Sequence, residues 1–242
     1  MTYCLGLRLD AGIVLMADTR THAGVDNVAR YRKLFTWERP GAAAVGLCTA
    51  GNLSLTQGVI NAVEEGVASA GERAPSVLDA PSMFAVAQLV GDTLRQVSAK
   101  YGAALSSAGV AASASILVGG EVGDGGPGLF LVYDAGNFIE AEADTPYFQI
   151  GELKYGKPIL DRVVTVGTPI PTALKAGFIS MESTTRSNLS VGLPLDVAVV
   201  PTAERRFALR RRFEDSDPGW KALSEAWSRG IVDLLDRMPE VE

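Results

Sequence analysis

A strand pattern at the start of the chain constrains its fold more than any other feature. Apolar side chains fill every second position over residues 3–9, which is the period of a β-strand with one buried face. The triplet Asp-Ala-Gly at 10–12 then predicts a tight turn, and the almost wholly apolar run 13–17 predicts a second strand. We therefore expect an N-terminal hairpin whose second strand brings Asp18 back to Thr2.

Two more strands are predicted before the first helix. Residues 32–37 show an alternating pattern of aromatic and β-branched side chains, and 42–49 form a run of small and apolar residues. The polar segment 19–30, between the second and third strands, has the composition of a loop. We expect the four strands to form one antiparallel meander, with Lys33 at the start of the third strand.

Helices and a second group of strands follow. Asn52 is expected to cap a helix, and apolar residues at helical spacing predict a longer helix from Ser82. The glycine-rich segment 119–126 is expected to be a hairpin loop, because its spacing differs from that of a dinucleotide-binding fingerprint. The later strands are predicted over 115–118, 128–133, 138–141, 196–201 and 206–212. The later helices are predicted over 172–186 and 220–238. No domain boundary interrupts this order, so we expect 1–242 to form one domain.

The overall charge argues against two classes of partner. The chain has 22 basic and 28 acidic residues and a net charge of −6, whereas nucleic acids and anionic membranes favour clustered Lys and Arg. We therefore expect no nucleic acid and no membrane as partner. The basic run within 205–212 is interpreted as a solvated strand or a contact between subunits. In addition, no apolar run approaches the ~20 residues that cross a bilayer.

Cysteine and histidine are too few for several kinds of site. Cys4 and Cys48 follow no secretory leader, so we expect reduced thiols in a cytoplasmic protein. Catalytic devices of the Ser-His-Asp and Cys-His types need a histidine, and the single one, His22, lies in a polar segment interpreted as a surface turn. The CxxC and HExxH spacings of zinc sites are absent from the sequence, and we expect no metal and no cofactor.

One segment has the spacing of a phosphate-binding loop. Residues 151–157 read G-x-x-x-x-G-K, but Pro158 occupies the position where a Ser or Thr would bind magnesium. Proline has no hydroxyl group and disturbs the helix that such a loop must open. We therefore interpret the segment as a loop that leads into a helix and not as a nucleotide site.

Thr2 is the candidate nucleophile. If Met1 is removed, Thr2 carries a hydroxyl group together with a base, its own α-amine, whose reference pKa is about 7.7 to 8.0. A nearby lysine would lower that pKa by repulsion between like charges. The strand–glycine–helix junction at Gly51 would leave backbone N–H groups for an oxyanion. The structural alternatives are a plain turn glycine at Gly51 and an ordinary ion pair between Asp18 and Lys33.

These features resemble the proteasome β-subunit family of N-terminal-nucleophile hydrolases. The resemblance rests on the opening Met-Thr, the tetrad Ala-Asp-Thr-Arg at 17–20 and the strand-initial Lys33. Five further segments look like a bacterial, proteasome-like branch of that family: 2–4, 24–27, 148–152, 154–162 and 186–194. They extend over most of the chain, and the alanine-rich connection 66–81 is the part without a match.

The resemblance implies both a fold and a chemistry. The implied fold is an αββα sandwich, with two antiparallel sheets packed between helical layers, and the implied activity is that of a threonine peptidase or amidohydrolase. Arg20 is expected to be a structural charge partner near Asp18. The catalytic roles carried over by position are Thr2 as nucleophile and base, Asp18 as the group that orients and neutralises the site, Lys33 as the group that lowers the pKa of the amine or hydroxyl, and Gly51 as the oxyanion N–H.

Two functions stay open at this stage. The first is a self-compartmentalising hydrolase that cleaves peptides or small amides through an acyl-enzyme. The second is an assembly-forming scaffold with little or no hydrolytic activity. A retained Met1 would favour the scaffold, and so does Ser187, which stands where the family usually has an aspartate that supports the nucleophile; Ser190 is expected to share in that support. In both cases the resemblance implies ring-like or open helical homo-oligomers, and any unfoldase partner would be a separate protein.

Overall fold

A computed structural model of the protein describes residues 2–22 and 28–240. Met1 and segment 24–27, on which two of the expectations above depend, lie outside the described residues. The elements in chain order are β1 Tyr3–Leu9, β2 Gly12–Asp18, β3 Arg20–His22, β4 Val28–Arg30, β5 Leu34–Arg39, β6 Ala43–Gly51, α1 Leu53–Ala68, α2 Met83–Ser107, β7 Ala114–Val122, β8 Pro127–Val132, β9 Phe138–Glu140, β10 Tyr147–Gly151, α3 Lys157–Val163, α4 Ile170–Ser187, β11 Leu195–Pro201, β12 Leu209–Phe213 and α5 Pro218–Leu235.

Two five-stranded antiparallel sheets form the centre of the protein. The first sheet has the strand order β10-β1-β2-β11-β12, and the second has the order β5-β6-β7-β8-β9. Helices α1 and α2 pack on the outer face of the second sheet, and α3, α4 and α5 pack on the outer face of the first. A third apolar cluster fills the space between the sheets. The predicted αββα sandwich is therefore confirmed.

The predicted single meander of four strands is wrong. The first two strands form a hairpin, as expected, and so do β5 and β6, but the two hairpins belong to different sheets. The flanking partners of the first hairpin come from distant parts of the chain, since β1 pairs with β10 and β2 pairs with β11. The alternation of side chains within a strand predicts which face of the strand is buried, but it does not predict which strand pairs with the edge that the hairpin leaves free.

The segment predicted as a loop over 19–30 contains a short hairpin. In the part of the chain that the structure describes, strands β3 and β4 form a two-stranded sheet of their own, with Arg20 opposite Arg30 and His22 opposite Val28. The backbone of His22 is therefore in a strand and not in a turn. The hairpin connects the first sheet to the second, and it lies directly before the segment that carries Lys33.

Strand β1 is buried on both faces, although its alternation predicted one. Leu5 contributes to the cluster on the helical side, whereas Cys4 contributes to the cluster between the sheets. Cys4 has a small apolar side chain that fits between two closely packed sheets, and a hydropathy pattern underestimates the burial of such a residue. Arg8 is the half-buried exception in the strand.

Most of the later elements agree with the prediction. The Asn52 side-chain oxygen accepts hydrogen bonds from the N–H groups of Ser54 and Leu55 at 3.0 and 3.3 Å, so the predicted cap of α1 is confirmed. Ser82 caps α2 through the N–H of Ala85 at 3.2 Å. The segment with the spacing of a phosphate-binding loop, 151–157, is a turn between β10 and α3, as expected. None of the helices in the described ranges is long and apolar enough to cross a membrane.

Several predicted boundaries moved. Strand β5 begins at Leu34, so Lys33 directly precedes the strand and is not its first residue, as had been expected. The glycine-rich segment 119–126 is only partly a loop, because β7 continues to Val122 before the turn. At Gly120, a Cβ atom would lie 2.0 Å from the carbonyl oxygen of Ala44, so glycine there allows β7 and β6 to pair closely. The strand predicted over 206–212 begins later, at Leu209.

The C-terminal half of α5 carries apolar side chains that the described chain leaves uncovered. Trp220, in its first turn, is buried against the first sheet. Further along the helix, Ile231 is 37% exposed, Leu234 is 50% exposed and Leu235 is 59% exposed. The predicted amphipathic helix is present, and the end of its apolar face points to solvent.

Candidate active site

A cavity of about 290 Å³ opens where the two sheets meet at one end of the sandwich. The start of β1 contributes Thr2, the residue before β5 contributes Lys33, and the end of β6 contributes Gly51. Thr21 and Gly151 also line it. Three of the four sequence-predicted catalytic residues thus line one cavity, and the fourth, Asp18, lies directly behind it in contact with Lys33.

Asp18 is fully buried and accepts four hydrogen bonds. Its Oδ1 accepts from the N–H of Tyr3 at 2.9 Å and from Lys33 Nζ at 2.7 Å. Its Oδ2 accepts from the N–H groups of Arg20 and Gly192, each at 3.2 Å. Burial raises the pKa of Asp18 above its ordinary value, and the ammonium group of Lys33 and the hydrogen bonds oppose that shift. The carboxyl group therefore fixes Lys33 and the main chain that follows Thr2 in one arrangement.

Lys33 is held on two sides. Besides the ion pair with Asp18, its Nζ donates to the carbonyl oxygen of Arg20 at 2.5 Å. Its own carbonyl accepts from the N–H of Thr49 at 2.9 Å, which fixes the backbone against β6. The side chain is only about 5% exposed, so its charge is poorly screened by solvent. The cavity therefore contains a positive charge with a fixed position.

The backbone of Thr2 is anchored by the turn after β10. Its carbonyl oxygen accepts from the N–H of Glu152 at 2.7 Å. The neighbouring Gly151 has a φ of +85°, and a Cβ atom there would lie 2.0 Å from the same carbonyl oxygen. Only glycine allows this approach. As a result, the position of the candidate nucleophile depends on a strand about 150 residues away in the sequence.

Glu152 and Asn188 are residues of this region that the sequence reasoning missed. Glu152 accepts hydrogen bonds from the Asn188 side-chain amide and from the N–H of Lys154, both at 2.9 Å. Partial burial raises the pKa of Glu152, but these hydrogen bonds outweigh it, and the pKa is lowered overall. Both residues lie in segments that carried the family resemblance, which could have marked them as candidates. The sequence around each residue, however, did not indicate that the two side chains meet.

The register of β6 indicates where the Gly51 N–H points. The next residue, Asn52, donates its N–H to Ser113 of the segment before β7 at 2.8 Å. Because donor directions alternate along an antiparallel strand, the Gly51 N–H points to the other side. On that side β5 has ended, and the last backbone bond joins Thr49 to Lys33. The Gly51 N–H is therefore directed into the cavity lined by Thr2.

Arg20 differs from its expected role. Its backbone N–H, and not its guanidinium group, contacts Asp18. The guanidinium group donates to the carbonyl oxygen of Leu189 at 3.1 Å and packs over Gly192, where a Cβ atom would lie 2.3 Å from Arg20 Cζ. The expectation of a charge partner for Asp18 was wrong, because the fold turns the side chain outward and uses Lys33 as the cation.

Neither Ser187 nor Ser190 lines the cavity. Ser187 is exposed at the last position of α4, and the N–H of Ser190 donates to the Asn188 side chain at 2.9 Å. The helix ends at Ser187, and the residue that reaches toward the cavity from this turn is Asn188, through Glu152. Ser190 contacts Asn188 through its backbone N–H, and its expected share in supporting Thr2 stays a prediction.

Tyr3 anchors the start of β1 through its hydroxyl group. The hydroxyl contacts Ser180 Oγ at 2.6 Å and accepts from Gln149 Nε2 at 2.6 Å. Burial raises the pKa of Tyr3 from 10.0 to about 12, although both hydrogen bonds oppose the shift. The folded protein therefore retains the phenolic proton in a pH range where the unfolded chain has lost it.

This shift predicts a specific loss of stability in alkali. Below pH 10 both states are protonated, and between pH 10 and pH 12 the unfolded state alone releases the proton, so stability falls by about 2–3 kcal/mol over that window. Tyr3→Phe is expected to flatten this part of the curve, at a cost of about 1 kcal/mol at neutral pH. Urea unfolding measured against pH tests it. Tyr155→Phe, at an exposed position, is the control; an equal flattening in both variants would contradict the assignment.

Comparison with known proteins gives one kind of match. No protein-family model matches the sequence, and no curated protein matches it. Among solved structures, Anbu (ancestral β-subunit) from Yersinia bercovieri superposes with a TM-score of 0.92 at 37% identity over 99% of each chain. The Anbu complex from Pseudomonas aeruginosa, described as a helical assembly, gives 0.92 at 40% identity, covering 99% of this chain and 98% of that one. Anbu from Hyphomicrobium sp. strain MC1 gives 0.88 at 38% identity over 99% of each chain.

Proposed function

Because this chain belongs to the Anbu family of proteasome-like proteins, we propose that it is a threonine-type N-terminal nucleophile hydrolase that cleaves peptide or small amide bonds. The observation that supports this function best is the buried pair of Asp18 and Lys33. The same Asp18 oxygen that accepts from Lys33 also accepts from the N–H directly after Thr2. A single carboxylate therefore sets the distance between a fixed cation and the candidate nucleophile.

The proposed reaction requires the α-amine of Thr2, which removal of Met1 would free. The neutral amine accepts the hydroxyl proton, Thr2 Oγ attacks the substrate carbonyl, and an ester forms as the leaving amine receives the proton. Water, deprotonated by the same amine, then hydrolyses the ester. The ammonium group of Lys33 lowers the pKa of the α-amine by repulsion between like charges, so that more of it is neutral near pH 7. The Gly51 N–H stabilises the oxyanion in both steps.

The experiment that tests this function combines N-terminal sequencing with covalent labelling. Purified protein is expected to begin at Thr2, and a peptidyl β-lactone is expected to add one equivalent of mass to that residue. Thr2→Ala keeps the strand and removes the hydroxyl group, so it should take up no label. Labelling of Thr2→Ala to the same extent as the natural protein, or a retained Met1 with no label at all, would contradict the proposal.

The second candidate function is an assembly that hydrolyses nothing. The observation in its favour is Ser187, which occupies the position of the family's supporting aspartate and lies exposed, away from the cavity. In that case Thr2, Asp18 and Lys33 would hold β1 and β5 together as a structural pair. A processed N-terminus with turnover that depends on Thr2 would rule out this candidate.

We also infer that the chain associates with copies of itself, in rings or open helices. The Pseudomonas aeruginosa relative is described as a helical assembly. In this chain, the exposed apolar residues Ile231, Leu234 and Leu235 of α5 form a surface that association would cover. A head-to-tail contact closes into a ring only if its rotation permits, so both forms fit. An unfoldase that delivers folded substrates would be a separate protein, and light scattering of the purified chain tests the association.

A further inference from the structure

A second cavity, of about 600 Å³, lies on the flank of the sandwich. Strands β5 and β12 are edge strands of the two sheets, and they lie on the same side of the molecule. The cavity opens between them, and the segment that leads from β4 to β5 forms part of its wall. We call it the arginine cavity, because its walls include Arg30, Arg32, Arg210, Arg211 and Arg212. Apart from Arg211, whose side chain leaves the other face of β12, these arginines give a chain with a net charge of −6 a positive site.

The arginines of β12 are largely compensated by carboxylates. Arg212 forms two hydrogen bonds with Asp196 on the neighbouring strand, at 2.7 and 2.8 Å, and this pairing raises the pKa of Arg212. Arg211 points to the other face of the strand and pairs with Asp217 at 2.5 Å. Among the described residues, the carboxylate nearest to Arg210 belongs to Glu38, at the long distance of 3.9 Å.

The two arginines beside β5 carry charges that the described chain does not compensate. Neither Arg30 nor Arg32 has a carboxylate within 4.0 Å among residues 2–22 and 28–240. Arg32 is nevertheless held in place, because its Nε donates to the carbonyl oxygen of Leu34 at 2.6 Å and its guanidinium group stacks over Phe35 at 5.1 Å. Within the described residues, its terminal nitrogens have no hydrogen-bond acceptor. Among the described residues, Arg30, Arg32, Arg210 and Arg212 with their carboxylate partners Glu38 and Asp196 therefore leave a surplus of two positive charges at this cavity.

From these observations we propose that the arginine cavity binds a phosphate group, either as free phosphate or as part of a small phosphorylated molecule. A phosphate monoester carries a charge of about −1.5 to −2 at pH 7, which matches the surplus of two. The planar guanidinium group donates two parallel hydrogen bonds to phosphate, and Arg32, at the wall of the cavity, is already held by its contacts with Leu34 and Phe35. The volume lies within the range of ligand pockets, about 300–1,000 Å³, so an organic group attached to the phosphate also fits.

The location of the cavity suggests a consequence for the candidate active site. Arg30 and Arg32 lie within three residues of Lys33, and Thr19, which lines the arginine cavity, follows Asp18. The N–H of Tyr31 donates to the carbonyl oxygen of Thr19 at 2.8 Å, which connects the two segments. A phosphate bound to both arginines would hold the segment that positions Lys33. The binding itself does not depend on the proposed hydrolase activity.

Isothermal titration calorimetry at constant ionic strength tests the proposal. The full-length protein is titrated with inorganic phosphate, with phenyl phosphate and with the dicarboxylate malonate. Saturable binding of phosphate is expected, with at least about tenfold weaker binding of malonate, because malonate divides its two charges between two carboxylates, whereas phosphate carries its charge on one group that several guanidinium groups can contact. Tighter binding of phenyl phosphate than of phosphate would identify a phosphorylated molecule as the ligand, and equal binding would identify free phosphate. No saturable heat with either phosphate, or equal binding of malonate, would overturn the proposal.

A matched pair of variants locates the binding. Arg30→Gln/Arg210→Gln is expected to weaken phosphate binding at least about tenfold. Arg229→Gln/Arg237→Gln removes the same two charges from the exposed face of α5 and its end, and it should change the affinity less than about twofold. Equal losses in the two variants would overturn the assignment to the cavity.

Two further measurements keep the proposal open to refutation. If the cavity variant fails to fold, protection of Arg30 and Arg32 from phenylglyoxal by phosphate, mapped by peptide mass spectrometry on the natural protein, decides the question; absence of protection would overturn it. Light scattering of the cavity variant tests the alternative that the cavity is a contact between two copies of the chain. Dissociation of the assembly without any phosphate binding by the natural protein would show that the cavity receives an acidic surface of a second copy.

Discussion

Lys33→Met is expected to slow the labelling of Thr2 by a β-lactone by up to about 10²- to 10⁴-fold, because the base whose pKa it is proposed to tune, the α-amine, contributes over that range. The variant keeps the length and most of the volume of the side chain, so the cavity stays filled. It loses the cation that we propose lowers the pKa of the α-amine, and it loses the donor that holds Asp18. The pH at which labelling reaches half its maximum should therefore move upward.

The same substitution should also destabilise the protein. Asp18 would keep its three backbone hydrogen bonds but, in a fully buried position, would lose the one side-chain cation that pairs with it among the described residues. Removal of one partner of a buried pair costs about 3–5 kcal/mol, because the remaining charge is left uncompensated. Urea unfolding at pH 7 measures this loss.

A surface lysine and a double variant separate the two effects. Lys157→Met removes a lysine that pairs with Asp161 at 2.8 Å, but both side chains are about half exposed, so the cost should stay below about 1 kcal/mol. Asp18→Asn/Lys33→Met removes both charges, and it is expected to recover most of the stability but none of the labelling rate. Recovery of both would mean that Lys33 acts through the fold alone, and an unchanged labelling rate in Lys33→Met would refute its role at Thr2.

The strands and helices of this protein are readable from local patterns, and their partners are not. The alternation at 3–9, the cap at Asn52 and the stripe after Ser82 each predicted an element at the correct place. The same patterns placed the first four strands in one sheet, because the pairing of β1 with β10 joins residues about 145 positions apart. Loop closure over that distance depends on tertiary packing, which a local pattern does not contain.

The candidate site shows the same division. Thr2 and Asp18 are joined by a hairpin and could be placed from the turn at 10–12, and Lys33 entered through the resemblance to a family. Glu152 and Asn188 come from two turns that approach Thr2 only in the folded protein. Their polar side chains gave no signal of their own, because polar residues in turns are ordinary. Arg20 was misassigned because a sequence does not show which way a side chain leaves a short strand.

Gly51→Ala is expected to lower the free energy of unfolding by about 2–5 kcal/mol. Two costs add at this position. The residue has a φ of +108°, which L-amino acids with a side chain rarely adopt, and a Cβ atom would lie 2.4 Å from the carbonyl oxygen of Ser113. The second cost is not relieved by a rotamer change, since the obstacle is the backbone of the neighbouring chain segment.

Gly41→Ala is the matched control for Gly51→Ala. Gly41 has a φ of +77°, and no atom of the described chain lies within 4 Å of the position that a Cβ atom would take there, so this variant measures the conformational cost alone, about 1 kcal/mol. Urea unfolding of both variants gives the contribution of the contact with Ser113 by difference. If the two variants lose equal stability, β6 moves freely at its end, and the close approach to the segment before β7 does not fix Gly51.

The catalytic consequence follows from that fixed position. Relief of the contact with Ser113 requires the end of β6 to shift toward the cavity, and the Gly51 N–H shifts with it. Loss of one oxyanion donor costs about 10²- to 10³-fold in rate, so we expect Gly51→Ala to slow acylation of Thr2 by that factor under conditions where it is still folded. Gly41→Ala should leave the rate unchanged. Folded Gly51→Ala that is labelled at the natural rate would show that the oxyanion is held by another donor, and the direction of the Gly51 N–H would then be a feature of the strand end alone.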